Sequence, residues 1–220
     1  MKSLRITICL VMVLVLTGST RASWELTGSQ SEVNPNPDHL SYNEWGRLYD
    51  NSQVVLTSGG VRYLSAHNYS IVNISGGSVS EALYAWESST INIYSGHVYN
   101  LTSYKSTTVN ISGGSVGQYL YAWESSTVNI SGGAISLVGA FDNSIFTFSG
   151  QNFSCGSGLT IDGSHVLGTG MLFGEWLDGT PFQAHIQYHD STATIVAVPE
   201  PVTILLFGLG AVMLRRKANI

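Results

Sequence analysis

The chain has 220 residues, enough for one domain with a sizeable core, and its formal net charge is −5. Charged residues make up only 10% of the sequence and glycine occurs 24 times, which argues against a helical protein and favours short strands joined by many turns. Between residues 24 and 198, thirteen acidic side chains stand against three basic ones, Arg47, Arg62 and Lys105, so this part of the chain lacks the basic face that a nucleic-acid partner requires.

The first 23 residues are predicted to be a secretory signal peptide. Lys2 and Arg5 precede an apolar stretch of 11 residues at 6–16, interrupted only by Thr7, and small residues for cleavage follow at 22–23. This stretch is too short for a transmembrane helix, which needs about 20 apolar residues. We therefore expect the protein to be exported. Cys9 leaves with the signal, so Cys155 has no partner for an intramolecular disulfide.

An internal repeat organises residues 46–153, after a polar segment at 24–45 that is predicted to be a linker or an N-terminal cap. The motif VNISGG and its looser variants begin at six positions: Val54, Val72, Ile91, Val109, Val128 and Phe146. The steps between successive starts alternate between eighteen and nineteen residues, beginning and ending with eighteen. Within each copy, apolar residues alternate with polar ones, which is the period-two pattern of a strand with one buried face.

A repeat of this length predicts one coil of a parallel β-solenoid, or β-helix, in which each coil stacks on the next at about 4.8 Å. We therefore predict an all-β, single-domain solenoid of about six coils of 18–19 residues, with the handedness left open. An extra residue near Ala82 and near Tyr119 is expected to form a bulge in a turn, and paired glycines such as Gly76-Gly77 are expected at a left-handed or crowded corner. The alternative is an antiparallel sandwich, which would not need residue identity to recur at a fixed coil length.

Asparagine recurs between the buried positions of four coils, at residues 73, 92, 110 and 129. Asparagine is normally depleted in strands, but amides stacked in register can hydrogen-bond along the axis. We predict an amide ladder there and expect the glycosylation sequons, such as the one at Asn73, to be a by-product of the repeat.

The octapeptide LYAWESST occurs unchanged at 83–90 and 120–127, and its two glutamates could be the acid and base of a glycosidase. Two coils would separate Glu87 from Glu124 by roughly 9.6 Å at about 4.8 Å per coil, against the about 6.5–9.5 Å of an inverting enzyme. Lys105 belongs to the coil between them, where it would pair with both and hold both ionised, which is wrong for a general acid. We therefore predict a ladder of charged side chains and no catalytic residue. The scattered histidines and the absence of an HExxH pattern or a glycine-rich loop predict no metal and no cofactor.

An aromatic strip runs beside this charged column and is the candidate binding surface. Its members are predicted to face outward: Tyr49, Trp86, Tyr104, Trp123 and Phe141, with Tyr84 and Tyr121 one position earlier on the same face. Stacked rings stabilise a coil by about 0.5–1.5 kcal/mol per pair. An exposed aromatic strip of this length also suits a surface that holds sugar rings or another protein, so the structural and the binding role both remain open.

Residues 154–197 leave the repeat and are predicted to form a β cap. They contain the turn LDGTPF and period-two runs near 184–188 and 194–196. A solenoid ends in an open apolar and hydrogen-bonding surface that must be covered, and this segment is placed to cover it.

The last 23 residues, 198–220, read VPEPVTILLFGLGAVMLRRKANI. The triad Pro199-Glu200-Pro201 is followed by 13 apolar residues at 202–214 and then by Arg215, Arg216 and Lys217. As a helix at about 1.5 Å per residue the apolar run is short for a permanent anchor, and the basic cluster would stay on the cytoplasmic side. An ordinary tail anchor is the alternative.

This triad, short span and basic finish resemble the PEP-CTERM sorting signal of Gram-negative bacteria. The resemblance implies that an exosortase, a membrane protease-transpeptidase, recognises Pro199-Glu200-Pro201 and removes the tail. It also implies that 202–214 holds the chain in the inner membrane only transiently, and that the product reaches the cell surface or extracellular matrix. Proteins with this signal typically occur in bacteria that make exopolysaccharide, and the repeats with a DGTPF-like turn look similar to the β-helical passengers of some of them.

Three functions are compatible with the sequence. The first is a non-catalytic structural or adhesive solenoid associated with extracellular polysaccharide or biofilm. The second is a carbohydrate-binding module that uses the aromatic strip. The third is a polysaccharide lyase or hydrolase on a β-helix, which is disfavoured because the coils are nearly minimal and a lyase needs a base and a charge neutraliser.

Overall fold

The computed structural model describes residues 24–28, 31–33, 45–189 and 192–199, which form sixteen strands and no helix. Within these ranges, no apolar helix is long enough to cross a membrane. The predicted signal peptide, the apolar run at 202–214 and the sorting residues Glu200, Pro201, Arg215, Arg216 and Lys217 lie outside the described residues, whereas Pro199 lies inside them.

The strands up to the fifth coil are β1 Trp24–Leu26, β2 Ser31–Val33, β3 Trp45–Leu48, β4 Gln53–Leu56, β5 Gly60–Ala66, β6 Ile71–Ala85, β7 Thr90–Ser103, β8 Thr108–Ala122, β9 Thr127–Ile135 and β10 Leu137–Ala140. The remaining strands are β11 Ile145–Cys155, β12 Leu159–Asp162, β13 His165–Gly168, β14 Gly170–Glu175, β15 Pro181–His189 and β16 Thr194–Pro199.

The predicted parallel β-solenoid is confirmed by the register of these strands. Val72 pairs with Ile91, Ile91 with Val109, and Val109 with Val128, all in parallel ladders. Equivalent residues of successive repeats therefore lie side by side, so the sequence columns are columns of the structure.

The core of the solenoid is formed by the apolar columns. The six repeat starts, from Val54 to Phe146, are all fully buried, and so are the later positions Leu64, Leu83, Leu101, Leu120 and Val138. Each such side chain contributes about 1.5–3 kcal/mol by leaving water. No single coil could bury its own face, so the core exists only because the coils stack.

The glycine corner forms as predicted, and the bulges form near the predicted residues but inside strands β6 and β8 instead of in turns. The two glycines of the corner are required for different reasons. Gly77 has a φ of 70°, which a side chain would strain, whereas a Cβ on Gly76 would overlap the carbonyl oxygen of Thr57 in the preceding coil. The ladder register shifts where one coil carries the extra residue, between Val61 and Tyr63 opposite Ala82, and again just before Asn100 opposite Tyr119.

The segment before the repeat adds two strands to the stack. β1 pairs in parallel with β3, with Trp24 opposite Gly46, and β2 pairs in parallel with β4, with Ser31 opposite Gln53. The paired residues of this first coil are further apart in sequence than those of the repeats, so the repeat spacing does not reveal this coil.

The C-terminal β cap combines a last coil with an insertion. β15 pairs in parallel with β10 and β16 pairs in parallel with β11, while β14 runs antiparallel between β11 and β15. The hairpin β12–β13 lies against the outer edge of β16, with His165 opposite Val196. The edge that a solenoid leaves open is thereby partly covered.

Trp176 ties this cap to the glycine corner. Its buried indole donates a hydrogen bond from Nε1 to the carbonyl oxygen of Gly133 at 2.9 Å, and its ring stacks on Phe182 with centroids 3.9 Å apart. Phe153 is half-buried and packs edge-on against Phe182. Cys155 is a free, half-buried thiol, and burial raises its pKa.

The predicted amide ladder is confirmed. Asn92, Asn110 and Asn129 each donate from Nδ2 to the Oδ1 of the asparagine one coil earlier, at 2.8–2.9 Å. Three side-chain hydrogen bonds in a row hold four coils in register on the outer face of the sheet.

Candidate functional site

The column that contains Glu87 and Glu124 forms a row of tight turns. Its members all have a positive φ, between 53° and 59°: Asp50, Asn68, Glu87, Lys105, Glu124 and Asp142. In most of these turns the backbone N–H two residues on donates to the carbonyl oxygen of the preceding aromatic residue, as Ser89 does to Trp86 at 3.2 Å. A left-handed conformation costs about 1–2 kcal/mol for most residues, and Asn or Asp tolerates it best. The two glutamates thus occupy a position that the backbone of the turn defines.

A buried hydroxyl column follows two residues later and was missed by sequence reasoning. Its members are all fully buried: Ser52, Ser70, Ser89, Thr107, Ser126 and Ser144. Thr107 and Ser126 donate their hydroxyls to the turn carbonyls of Tyr104 and Trp123, at 2.7 and 2.8 Å. The hydroxyls of Ser52, Ser70 and Ser89 have no hydrogen-bond partner among the residues that the structure describes. The first three turns therefore differ from the last three in how the hydroxyl is satisfied.

The predicted charge ladder is half right. Lys105 Nζ lies 2.8 Å from Glu87 Oε1, and this hydrogen bond lowers the pKa of Glu87 and raises the pKa of Lys105. The expected pair between Lys105 and Glu124 does not form within the described part of the chain, where Glu124 acts on Lys105 only through space. Glu124 instead donates its backbone N–H to Asp142 Oδ2 at 3.4 Å. Hydrogen bonds therefore link the column up to Lys105 and again from Glu124 to Asp142, but none links Lys105 to Glu124 within the described part of the chain.

The predicted aromatic strip is built as two separate stacks. The first runs through Tyr49, His67, Trp86 and Tyr104, with centroid separations of 4.9, 6.2 and 4.0 Å and ring planes within 14° of parallel. The second contains Trp123 and Phe141, at 3.9 Å and 8°. No stacked pair joins Tyr104 to Trp123 among the described residues. We call this interruption the gap.

Further aromatic rings lie earlier on the same face, in two neighbouring columns, and sequence reasoning found only part of them. Trp45 stacks on Tyr63 at 4.5 Å and on Tyr84 at 6.0 Å. Further along, Tyr119 stacks on Tyr121 at 4.5 Å, and Tyr121 meets Phe141 edge-on. Trp45, Tyr63 and Tyr119 were missed because their column lies at the bulges and is not aromatic in every coil, since Tyr63 pairs with Ala82 and Tyr119 pairs with Asn100.

Large and small residues alternate from coil to coil in the column that contains Tyr84 and Tyr121, which we call the second aromatic row. Down the sheet, the residues paired with one another are Ser65, Tyr84, Thr102, Tyr121 and Gly139. Ser65 and Thr102 are each only 5% exposed, and a Cβ on Gly139 would lie 2.8 Å from a ring carbon of Tyr121. The tyrosines therefore lie over small neighbours, which explains why LYAWESST recurs after two coils and not after one.

Four phenols come together beside the gap. We call Tyr84, Tyr104, Tyr119 and Tyr121 the tyrosine cluster. Burial raises the pKa of Tyr104, with smaller contributions from Tyr84 and Glu124. Burial also raises the pKa of Tyr119, helped by the other three phenols of the cluster. The phenols that influence one another in this way come from three successive coils.

All three basic side chains of residues 24–198 lie along this aromatic face. Arg47 lies over the ring of Trp45 at 5.8 Å, and Arg62 lies over Tyr63 at 5.2 Å and pairs with Glu81. Both arginines are at the N-terminal end of the strip, whereas the charged residues that follow the gap, Glu124 and Asp142, are acidic. The aromatic face therefore carries arginines at its N-terminal end and carboxylates after the gap.

Of the predicted sorting residues, the structure describes Pro199. It is exposed, it is the last residue of β16, and it lies opposite Gly150 in the parallel ladder with β11. The ordered strands of the last coil thus extend to the first residue of the Pro-Glu-Pro triad.

Comparison of the chain with protein-family models, with curated proteins and with solved structures finds no significant match.

Proposed function

We propose that this chain is an exported, non-catalytic structural or adhesive β-solenoid that is sorted to the surface or matrix of a Gram-negative bacterium and associates there with extracellular polysaccharide. The observation that carries the non-catalytic part is the position of Glu87 and Glu124 in positive-φ turns. Lys105 lowers the pKa of Glu87, which opposes a role as general acid.

The sorting part of the proposal is supported by the resemblance of residues 198–220 to an exosortase substrate. Mass spectrometry of the secreted protein is expected to show loss of the residues after the Pro-Glu-Pro triad. A variant with Glu200→Ala and Pro201→Ala serves as the control and is expected to keep its tail in the membrane. A secreted form that still ends in Arg215-Arg216-Lys217 and Ala218 onward would overturn the sorting proposal.

Carbohydrate binding by the aromatic face is a second candidate, favoured by the gap and by the tyrosine cluster beside it. Half-buried rings with phenol hydroxyls offer both stacking surface and hydrogen bonds to a sugar. The processed protein should sediment with the producer's own exopolysaccharide. Trp86→Ala combined with Trp123→Ala should abolish this, whereas Tyr94→Ala, which removes an exposed ring at the glycine corner, should not.

The same assay tests the third function. If the polysaccharide is cleaved and Glu124→Gln abolishes the cleavage, a lyase or hydrolase replaces the non-catalytic proposal. If binding survives the double tryptophan change in a folded protein, the aromatic stacks are only structural and the second candidate is wrong.

A further inference from the structure

The aromatic stack and the charged column are interrupted at the same step between coils. Rings are stacked up to Tyr104 and again from Trp123, and side-chain contacts link the charged column up to Lys105 and again from Glu124. The backbone continues without interruption, because Trp123 N donates to Ser103 O at 3.0 Å and Thr127 N donates to Thr107 O at 2.8 Å. Only the side chains diverge, and they do so beside the tyrosine cluster.

The gap leaves aromatic surface unused. Tyr104 stacks on Trp86 with one face, and Trp123 stacks on Phe141 with one face. On the sides that face the gap, neither ring has a stacked partner among the described residues. All other rings of the first stack are covered by a neighbour on the side towards Tyr104. The gap is therefore where a flat ligand group can be accommodated with least disturbance of the ladder.

The charge around the gap favours a cation. The turn column carries four carboxylates, at Asp50, Glu87, Glu124 and Asp142, against one ammonium, and that ammonium is paired with Glu87 on the far side of Tyr104. The faces of Trp and Tyr rings attract cations, as the two arginines already do at the N-terminal end of the strip. An anionic ligand would meet the carboxylates of Glu124 and Asp142, and like charges across an interface are strongly unfavourable.

We propose that the gap between Tyr104 and Trp123 is a subsite for an amino sugar with a free ammonium group, held as one residue of a polymeric glycan. The inference rests on the carbohydrate binding proposed above and names its ligand class. The sugar ring packs against the faces of Tyr104 and Trp123 that lie towards the gap, phenols of the tyrosine cluster bond its hydroxyls, and its ammonium lies near Glu124 and Asp142. Polymers of uronic acids are excluded by the same carboxylates.

Three hexasaccharides of matched length test this by calorimetric titration of the processed protein: glucosamine, N-acetylglucosamine and galacturonate oligomers. The titration is done near pH 6, at which ordinary carboxyl groups are ionised. We expect the glucosamine oligomer to bind most tightly, the neutral oligomer more weakly and the galacturonate oligomer most weakly of the three. Exposed charge pairs contribute about 0–1 kcal/mol, so Glu124→Gln and Asp142→Asn should each weaken glucosamine binding by about two- to fivefold. Neither change should affect the neutral oligomer.

The matched control is Asp162→Asn, which removes an exposed carboxylate on β12, away from the aromatic face, and should leave all three affinities unchanged. Raised salt should weaken glucosamine binding and spare the neutral oligomer. Equal affinity for the glucosamine and neutral oligomers would overturn the charge inference while leaving carbohydrate binding intact. If no oligomer binds at all, the carbohydrate proposal fails together with it. Tighter binding of an oligolysine of equal charge would overturn it in favour of a basic protein partner.

Discussion

Ser89 and Ser126 occupy the same position in two identical octapeptides, yet their hydroxyls are in different states. Both are fully buried, but Ser126 Oγ donates to Trp123 O at 2.8 Å, whereas Ser89 Oγ has no partner. Replacing each with alanine should therefore change stability in opposite directions. The shared neighbours Trp, Glu, Ser and Thr remove local propensity as an explanation of any difference.

The expected magnitudes follow from the hydrogen bonds. Ser126→Ala loses a bond with a net value of about 0.5–1.5 kcal/mol. Ser89→Ala removes a buried hydroxyl whose unsatisfied desolvation costs about 1–3 kcal/mol, so the variant should be about 1 kcal/mol more stable than the parent. The two variants should differ by about 2 kcal/mol, or about 4–8 °C in Tm for a domain of this size.

Urea unfolding followed by circular dichroism measures both variants beside Ser88→Ala and Ser125→Ala. These controls remove the exposed serine that precedes each buried one and should change the unfolding free energy by less than about 0.5 kcal/mol. Equal destabilisation by Ser89→Ala and Ser126→Ala would refute the reasoning, because it would mean that the Ser89 hydroxyl also finds the turn carbonyl.

Three further predictions test the ladders and the turns. Glu124→Gly should be neutral or up to about 1 kcal/mol stabilising at a φ of 59°, whereas Glu124→Val should destabilise by about 1–3 kcal/mol; denaturant unfolding checks both, and a clear loss with glycine would contradict a turn role. Asn110→Ala breaks two ladder bonds and should cost about 1–3 kcal/mol by thermal unfolding, more than Asn73→Ala at the end of the ladder, and the reverse order would count against the ladder. Because the pKa of Glu87 is lowered in the fold, its ionised carboxylate stabilises the protein. This stability is present above the ordinary pKa of 4.5 and is lost as pH falls through the lowered pKa, so Lys105→Gln should reduce the fall in Tm on acidification. Unchanged pH dependence would show that the pair contributes nothing.

Most of the fold could be predicted because stacking places all residues of one repeat column in the same environment. The buried valines and leucines, the asparagine ladder and the glycine corner recur at the coil length, so alignment alone isolates them. The strands β15 and β16 join the same sheets more than two coil lengths after their partners, and an insertion of that size erases any period. The strands at 24–26 and 31–33 were not predicted as part of the solenoid for a similar reason, since their coil is longer than any copy of the repeat.

The site was predicted less completely. The role of the charged column was inferred from the type of its residues, whereas the backbone conformation of the turn determines which residues occupy it. Asp50, Asn68 and Asp142 in the charged column are the residue types that tolerate a left-handed conformation, which was the available signal for a turn. The buried serines were not expected inside because a hydroxyl is normally exposed. The gap depends on the side-chain orientations of the aromatic rings, which an alignment of the repeats does not show.

The alternation of large and small residues down the second aromatic row limits how such a chain can change its length. Removing the coil of Thr102 would place Tyr84 over Tyr121, and adding or removing any one coil would disturb the alternation between shorter and longer coils. Adding or removing 37 residues preserves both, and would lengthen or shorten the solenoid by two coils, roughly 9.6 Å at about 4.8 Å each. A deletion of residues 83–119 would join Ala82 directly to the second LYAWESST, with the same octapeptide following the junction as before. The unit of modular growth in this protein is therefore a pair of coils, and the duplicated octapeptide marks where one pair can be exchanged for another.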